Sequence, residues 1–167
     1  MSRYKVLFCL TGSIAGYKSC YLISKLVQAD VEVQTACTAS AHRFIGDAAL
    51  EGLTRRKNYS NVFDTAYGIE HVQLSDWYDL AITCPATGNT INKFAAGMAD
   101  DPVSCLFLAH DFKKPYLIAP AMNAKMYSHP RTQESLRILG TWGVKILDAD
   151  DGYQACGTEG PGRLAEP

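Results

Sequence analysis

The sequence predicts an α/β protein, in which an open parallel sheet lies between helices on both faces and so forms three layers. Five short apolar segments, each long enough for one buried strand, alternate with segments of helical periodicity. Small and hydroxylated residues follow the first three strands and an asparagine turn follows the fourth, at the edge where a parallel sheet presents groups to ligands. No linker, repeat or low-complexity stretch interrupts the 167 residues, so we expect one domain.

The first βαβ unit begins with a nearly continuous apolar strand from Tyr4 to Leu10, as is typical of a central parallel strand. A turn of small residues, Thr11 to Gly16, leads into a helix with an apolar side around Ile23 and Leu26. The second strand runs from Val31 to Cys37.

This unit favours a mononucleotide such as FMN over NAD. The first turn is not a G-x-G-x-x-G fingerprint, and no acidic residue for a ribose ends the second strand. Hydroxyls at Thr38 and Ser40, together with the N–H groups of a helix start, suit a phosphate monoester. An equal alternative is that Thr38 or Ser40 simply caps a helix through Phe44.

Residues 47–70 carry the weakest pattern, and Arg55–Lys57 is predicted to be a solvated charge run. A third strand, Asp79–Cys84, runs into the small, hydroxylated segment Pro85–Thr90. Short helices are predicted from Asn89 to Met98 and from Val103 to His110.

The fourth strand, Pro115–Ala119, precedes Asn123, and a single helix is predicted from Ala124 to Leu139. The Asn123 amide at this strand-to-helix turn could donate to a carboxylate, although on this stretch alone a simple N-cap is favoured. Val144–Leu147 is the fifth strand. The Gly-rich residues 150–167 are predicted to form a long loop that acts as a lid, with a disordered tail as the alternative.

The composition is that of an ordinary globular protein, with 47% hydrophobic and 20% charged residues. A net charge of −1 gives no field that favours nucleic acid or a membrane surface, and neither is expected as a partner. The lack of a signal-peptide pattern and of a spanning apolar run favours the cytoplasm. The six cysteines show no C-x-x-C pair and no zinc spacing, so neither a disulfide framework nor a metal site is expected.

Four motifs occur in one order along the chain. They are Glu70-His71-Val72-x-Leu74, Pro85-Ala86-Thr87-x-Asn89-Thr90, Pro120-Ala121-Met122-Asn123-x-x-Met126, and Ala155-Cys156-Gly157 followed by Gly162-Arg163-Leu164-x-Glu166-Pro167. Each is weak alone, but together they resemble the flavin-containing cysteine decarboxylases over essentially the whole chain. Within that family the likeness is strongest to the enzymes that act on 4′-phosphopantothenoylcysteine in coenzyme A biosynthesis.

The resemblance implies a Rossmann-like flavoprotein domain with FMN between the subunits of a homotrimer, or of four trimers in a dodecamer. The positions implied for FMN are Gly12, Ser13, Ile14, Thr38, Ser40, Phe44, Pro85, Ala86, Thr87, Asn89, Ala99 and Asp100. Those implied for the substrate are Ala121, Met122, Asn123 and Met126. The implied catalytic residues are His71, Asn123 and Cys156.

The resemblance also implies the chemistry. The thiol carbon of the substrate is oxidised by FMN to a thioaldehyde, loss of CO₂ gives an enethiolate, and hydride then returns. His71 would assist thiol deprotonation, Asn123 would orient the carboxylate, and Cys156 would protonate the enethiolate. A lone histidine between apolar residues is usually structural, so the role of His71 depends on the resemblance.

Two departures from the family pattern are Gly88, where alanine is usual, and Tyr127, where tryptophan is common. Relatives continue beyond the position of Pro167, so the sequence is either unusually short or a portion of a longer protein. One rival interpretation is a decarboxylase of Cys-terminated precursor peptides; such relatives usually carry an extra serine in the Asn motif and lack the lid cysteine. Another is a non-catalytic regulatory flavoprotein, but these typically carry acidic tails.

Overall fold

The structure, a computed structural model, describes residues 4–63 and 70–166, with the side chains of Glu70 and His71 left out of the description. Its main sheet has five parallel strands in the order β2-β1-β3-β4-β5. They are β1 Lys5–Leu10, β2 Glu32–Cys37, β3 Leu80–Ala86, β4 Tyr116–Pro120 and β5 Lys145–Ile146. The prediction of an open parallel α/β sheet is confirmed.

The central strand β1 is buried on both faces because helices cover each side of the sheet. Alternate side chains of a strand point to opposite faces. Leu7 therefore joins one apolar cluster with α3 Glu70–Trp77, α4 Gly88–Ala96, α5 Pro102–Leu108 and α7 Pro130–Thr141. Phe8 joins the other cluster, with α1 Gly16–Gln28 and α2 Asp47–Thr54. The prediction of helices on both faces is confirmed.

One prediction about the helical layers was wrong in part. The single helix expected from Ala124 to Leu139 is two helices, α6 Ala124–Tyr127 and α7 Pro130–Thr141. The break lies at Pro130, because proline lacks an N–H and disfavours helical geometry in the preceding residue. His129 caps the second helix, since its Nδ1 accepts a hydrogen bond from the N–H of Arg131 at 3.1 Å.

In the charge run, Arg55 and Lys57 are exposed as expected, but Arg56 is half-buried. Its Nε donates to Gln34 Oε1 at 2.8 Å, and its guanidinium pairs with Glu32. The guanidinium also lies 4.8 Å from the ring centroid of Trp77. Arg56 therefore joins β2 to α3, which its neighbours in sequence did not indicate.

The Gly-rich C-terminal segment is an antiparallel hairpin, β6 Asp150–Tyr153 and β7 Glu159–Arg163, rather than an irregular loop or a disordered tail. It forms a second, two-stranded sheet whose buried anchors are Gln154 and Leu164. The loop prediction failed because glycine carries no strand pattern, whereas the ladder is made by backbone groups. Among the helices that the structure describes, none has the length and apolar character to cross a membrane.

Candidate functional site

A cavity of about 450 Å³ lies at the carboxyl edge of the sheet, with the β6–β7 hairpin forming one wall. Three turns contribute to it: the turn after β1, Thr87 after β3, and Ala121–Asn123 after β4. The volume is in the range of about 300–1,000 Å³ that is usual for small-molecule sites. The edge of the sheet predicted to gather ligand groups therefore does carry a cavity.

Thr11 joins the turns after β1 and β3. Its Oγ1 donates to the carbonyl of Pro85 at 2.6 Å and accepts from the N–H of Thr87 at 3.0 Å. Gly12 lies against the loop after β2, where a Cβ would come within 2.5 Å of Ser40 Cβ. Glycine is therefore needed for these two loops to approach each other.

The residues predicted to bind the cofactor fall into three groups. Those that line the cavity are Gly12, Ser13, Ile14, Phe44 and Thr87. Buried residues that do not line it are Thr38, Pro85 and Ala86, while Ser40 lies against Gly12. Three exposed residues do not line the cavity, namely Asn89, Ala99 and Asp100.

Thr38 Oγ1 accepts from the N–H of Ala41 at 3.3 Å, but the N-cap of the helix that follows is Ser40. That helix is a single turn, Ala41–Arg43, and does not reach Phe44. Ser40 makes no such side-chain bond there. Asp100 lies beyond the far end of α4 from Thr87 and pairs with Lys93 at 2.7 Å. Within one chain, that ion pair is remote from the cavity.

Asn123 serves as an N-cap and also presents a donor to the cavity. Its Oδ1 accepts from the N–H of Lys125 at 2.9 Å, which satisfies a free donor at the start of α6. Its Nδ2 donates to Cys156 Sγ at 3.0 Å and lies 3.4 Å from Gln154 Oε1. Capping uses the oxygen alone, so the two sequence interpretations of Asn123 are compatible.

Cys156 is exposed in the turn of the hairpin, and its sulfur has three polar neighbours, of which Gln154 Oε1 at 3.8 Å is the most distant. Thr158 Oγ1 lies 3.0 Å from Sγ, as does Asn123 Nδ2. The pKa of the Cys156 thiol is lowered, first by the hydrogen bond from Thr158 and second by that from Asn123, because both favour the thiolate. Burial instead raises the pKa of Cys9 and of Cys37 to about 12.

Sequence reasoning missed Gln154, which lies two residues before Cys156 in the hairpin turn. Its side chain is buried, with Oε1 3.1 Å from the N–H of Ala124 and Nε2 2.9 Å from the carbonyl of Pro161. No local pattern distinguishes it from any other polar loop residue. Its burial follows from the docking of the hairpin on the Asn123 turn.

A polar groove adjoins the cavity and shares Tyr17, Lys18, Tyr153 and Arg163 with it. Lys18 Nζ donates to the carbonyl of Leu164 at 3.1 Å and pairs with Glu166 at 2.7 Å. Arg163 also pairs with Glu166. Lys25 also lines the groove, which therefore contains three cationic side chains and one carboxylate and carries a positive formal charge.

His71 lies within α3, but its side chain is outside the described part of the structure. Its position relative to the cavity therefore stays a prediction. Among the described residues, no group of three or more His, Cys, Asp or Glu side chains is placed to hold a metal ion.

A family model described as Flavoprotein matches residues 1–167. The chain belongs to the flavoprotein family. This agrees with the resemblance seen in the four sequence motifs, and it fits a cavity built from turns at the carboxyl edge of a parallel sheet.

Curated relatives of this flavoprotein include the coenzyme A biosynthesis bifunctional protein CoaBC of Bacillus subtilis (strain 168). It is 41% identical over 169 residues, which cover 100% of this chain and 41% of that protein. CoaBC of Escherichia coli (strain K12) is 37% identical over 165 residues, covering 98% of this chain and 40% of that protein. The flavoprotein chain thus spans about two fifths of the length of these relatives.

Solved structures share the fold. A variant of PPC decarboxylase in complex with pantothenoylaminoethenethiol has a TM-score of 0.89 and 27% identity, over 99% of this flavoprotein and 92% of that chain. The FMN-dependent cysteine decarboxylase SpaF has a TM-score of 0.85 and 30% identity, over 96% of this flavoprotein and 89% of that chain. The epidermin biosynthesis protein EpiD from Staphylococcus aureus has a TM-score of 0.81 and 31% identity, over 97% of this flavoprotein and 95% of that chain.

Proposed function

We propose that this flavoprotein is an FMN-dependent carboxy-lyase that converts 4′-phospho-N-pantothenoylcysteine to 4′-phosphopantetheine in coenzyme A biosynthesis. The observation that carries the proposal is the 3.0 Å approach of the Asn123 amide to the Cys156 thiol inside the cavity. In the proposal, this amide binds the substrate carboxylate and the neighbouring thiol donates a proton. The curated relatives named for coenzyme A biosynthesis and the PPC decarboxylase structure support the choice of substrate.

The residues around the cavity fit FMN. Apolar side chains suited to a flat ring system line it, including Ile14, Phe44 and Met122. Ser13 and the start of α1 offer a hydroxyl and backbone N–H groups of the kind that bind phosphate. When bound, FMN supplies reversible two-electron oxidation of the carbon that bears the substrate thiol.

Asn123 binds the carboxylate that leaves as CO₂. Its Nδ2 faces the cavity while its Oδ1 is held by the N–H of Lys125 at 2.9 Å. The amide therefore cannot rotate without losing the cap, and Nδ2 stays at the cavity wall, where the substrate carboxylate takes the hydrogen that Cys156 Sγ accepts in the free protein. Such orientation contributes by holding the scissile bond in a reactive geometry rather than by moving a proton.

Cys156 delivers the proton to carbon after decarboxylation. The proton leaves Sγ, and the resulting thiolate accepts hydrogen bonds from Thr158 and, once CO₂ has left, from Asn123. Because these bonds lower the pKa of the thiol, they make it a stronger acid than an ordinary cysteine. A positioned acid or base is typically worth about 10²–10⁴-fold in rate.

His71 assists deprotonation of the substrate thiol in this proposal. Support comes from its place in the motif Glu70-His71-Val72 at the start of α3. A free thiol has a pKa of about 8.5 and is mostly neutral near pH 7, so a base raises the reactive fraction.

We further propose that residues 1–167 form a single domain whose lid is the hairpin at about 150–167. The hairpin is tied to the substrate turn by the N–H of Met122, which donates to the carbonyl of Gly162 at 2.9 Å. Closed, it shields the reacting carbon from water and brings Cys156 to it.

The proposed assembly is a cytoplasmic homotrimer, or a dodecamer made of four trimers, with FMN between subunits. Exposed apolar side chains at the cavity mouth, Ile14, Tyr17 and Phe44, support a covering subunit. All six cysteines, each within the described residues, are free thiols, as suits a reducing compartment. Sedimentation analysis of the purified protein tests the assembly.

The proposed function is tested with the purified protein reconstituted with FMN. We expect a flavin absorbance spectrum and release of CO₂ from 4′-phosphopantothenoylcysteine, with 4′-phosphopantetheine identified by mass spectrometry. A protein that cannot retain FMN, or that retains it and releases no CO₂ from this compound, would contradict the proposal.

A second candidate is decarboxylation of the C-terminal cysteine of a precursor peptide. The likeness to EpiD and SpaF favours it. The cationic groove beside the cavity, with Lys18, Lys25 and Arg163, instead suits the phosphate of the small substrate. Offering a Cys-terminated peptide in the same assay separates the two, since we expect at least tenfold lower kcat/KM for the peptide.

A further inference from the structure

Gln154 is a buried polar side chain placed between the two turns that carry Asn123 and Cys156. It is 8% exposed, whereas its neighbours Ala155 and Cys156 are exposed. A buried amide is retained at little cost only when both of its ends find partners. In Gln154 both ends do.

The two ends of the Gln154 amide meet opposite kinds of group. Oε1 lies 3.1 Å from the N–H of Ala124, 3.4 Å from Asn123 Nδ2 and 3.4 Å from Thr158 Oγ1. Nε2 donates to the carbonyl of Pro161 at 2.9 Å and lies 3.4 Å from the carbonyl of Met122. If the amide were flipped, its NH₂ group would face these donors and its oxygen would face the two carbonyls. The surroundings therefore determine its orientation.

This orientation determines that of Asn123. One hydrogen of Asn123 Nδ2 is directed to Gln154 Oε1, and the other is left for Cys156 Sγ at 3.0 Å. The same Oε1 lies near the Thr158 hydroxyl, the second polar neighbour of that sulfur. The backbone of Gln154 also closes the hairpin turn, because its N–H donates to the carbonyl of Thr158 at 2.8 Å.

We propose that Gln154 is a positioning residue, which sets the Asn123 amide and the Cys156 thiol in register across the two turns. The carboxylate anchor and the proton donor are thereby assembled by one event, the docking of the hairpin. The expected effect on the decarboxylation rate rests on the proposed function. The expected effect on the reactivity of Cys156 follows from the geometry and does not rest on that function.

The test compares Gln154→Leu and Gln154→Glu with the wild type and with a matched control, Gln28→Leu. Gln28 lies at the exposed end of α1, where its Nε2 donates to Ser24 Oγ at 3.0 Å. The control therefore removes one side-chain amide bond outside the cavity. Thermal unfolding and FMN content are recorded for every variant.

The first readout is the pH dependence of Cys156 alkylation by iodoacetamide, followed by mass spectrometry of its peptide. Among the residues that the structure describes, the ionisable groups that line the cavity with Cys156 are Tyr17, Lys18, Tyr153 and Arg163, and none of them is changed. Gln154→Leu should loosen Asn123 and Thr158, so the pKa of the Cys156 thiol should rise and alkylation near pH 7 should slow about threefold. Gln154→Glu should raise the pKa further, since it adds a carboxylate where Oε1 is 3.8 Å from Sγ.

The second readout is steady-state decarboxylation with 4′-phosphopantothenoylcysteine. We expect kcat to fall about 10- to 100-fold while FMN content is unchanged, because small misplacements of catalytic groups cost about that much. The decarboxylated but still oxidised enethiol should build up in part, as proton delivery becomes slow.

A folded Gln154→Leu or Gln154→Glu protein with the wild-type alkylation profile would overturn the proposal. So would failure of both variants to fold, because Gln154 would then be an anchor of the fold. If the wild type releases no CO₂, the proposed function fails, but the alkylation profiles still decide the role of Gln154.

Discussion

Replacing Gly162 with alanine should open the hairpin without unfolding the sheet. Gly162 has φ +109°, and a Cβ there would lie 2.5 Å from the carbonyl oxygen of Met122 and 3.1 Å from Tyr127 Cβ. The first of these neighbours is backbone and cannot move away independently. The hairpin must therefore shift away from the turn that follows β4, which breaks the hydrogen bond from the N–H of Met122 to the carbonyl of Gly162 at 2.9 Å.

The magnitude follows from two costs. A non-glycine residue at such a φ costs about 1–3 kcal/mol. The lost backbone bond adds about 0.5–1.5 kcal/mol. Together they are comparable to the roughly 1.5–3 kcal/mol gained by burying Leu164, a main apolar anchor of the hairpin. A total of about 1.5–4.5 kcal/mol changes the ratio of closed to open hairpin by about 10- to 2,000-fold.

The assay combines hydrogen exchange of the hairpin amides with CO₂ release. We expect Gly162→Ala to lose protection in residues 150–166 and to lose at least tenfold in kcat/KM, while β1 to β4 stay protected. The matched control is Gly140→Ala in α7, where a Cβ meets nothing within 4 Å. It should stabilise the protein by about 0.4–1 kcal/mol and leave the rate unchanged. Wild-type protection and rate in Gly162→Ala would refute this account of hairpin docking.

Asn123→Asp keeps the oxygen that caps α6 but replaces the donor with a charge, so the melting temperature should change little while kcat/KM falls about 100-fold; Asn123→Ala should also cost about 0.5–2 kcal/mol of stability through the lost cap. Unchanged kinetics in Asn123→Asp would argue against carboxylate binding. Cys156→Ser should accumulate the oxidised, decarboxylated intermediate, seen by mass spectrometry, and an equal yield of final product would exclude the role of Cys156 as the acid. Because hydrogen bonds lower the pKa of the Cys156 thiol, its alkylation should reach half-maximal rate at a lower pH than in an unfolded peptide covering residues 150–166; coincident profiles would contradict this. Lys25→Gln should lower kcat/KM about two- to fivefold for the phosphorylated substrate, as expected for an exposed charge pair. The same substitution should leave kcat/KM unchanged for pantothenoylcysteine, which has no phosphate. An equal loss for both compounds would show that the groove does not bind the phosphate.

The sequence by itself determined the five strands, their parallel arrangement and the edge at which the site lies. Strands buried on both faces must be apolar at nearly every position, so β1 and β3 are visible in the order of residues alone. The turn at Asn123 could be predicted for the same reason, because an apolar strand and a helix flank it. The split at Pro130 is local too, since proline disrupts the helix through its own geometry and that of the preceding residue.

Tertiary structure decided what the polar residues do. Gln154 meets Ala124, and Asn123 meets Cys156, across about thirty residues of chain, a separation at which no local pattern exists. The same holds for Arg56, whose partners lie on β2 and α3. Apolar burial is set by short repeating patterns, whereas a hydrogen bond depends on where two distant groups come to lie, and that depends on the folded chain.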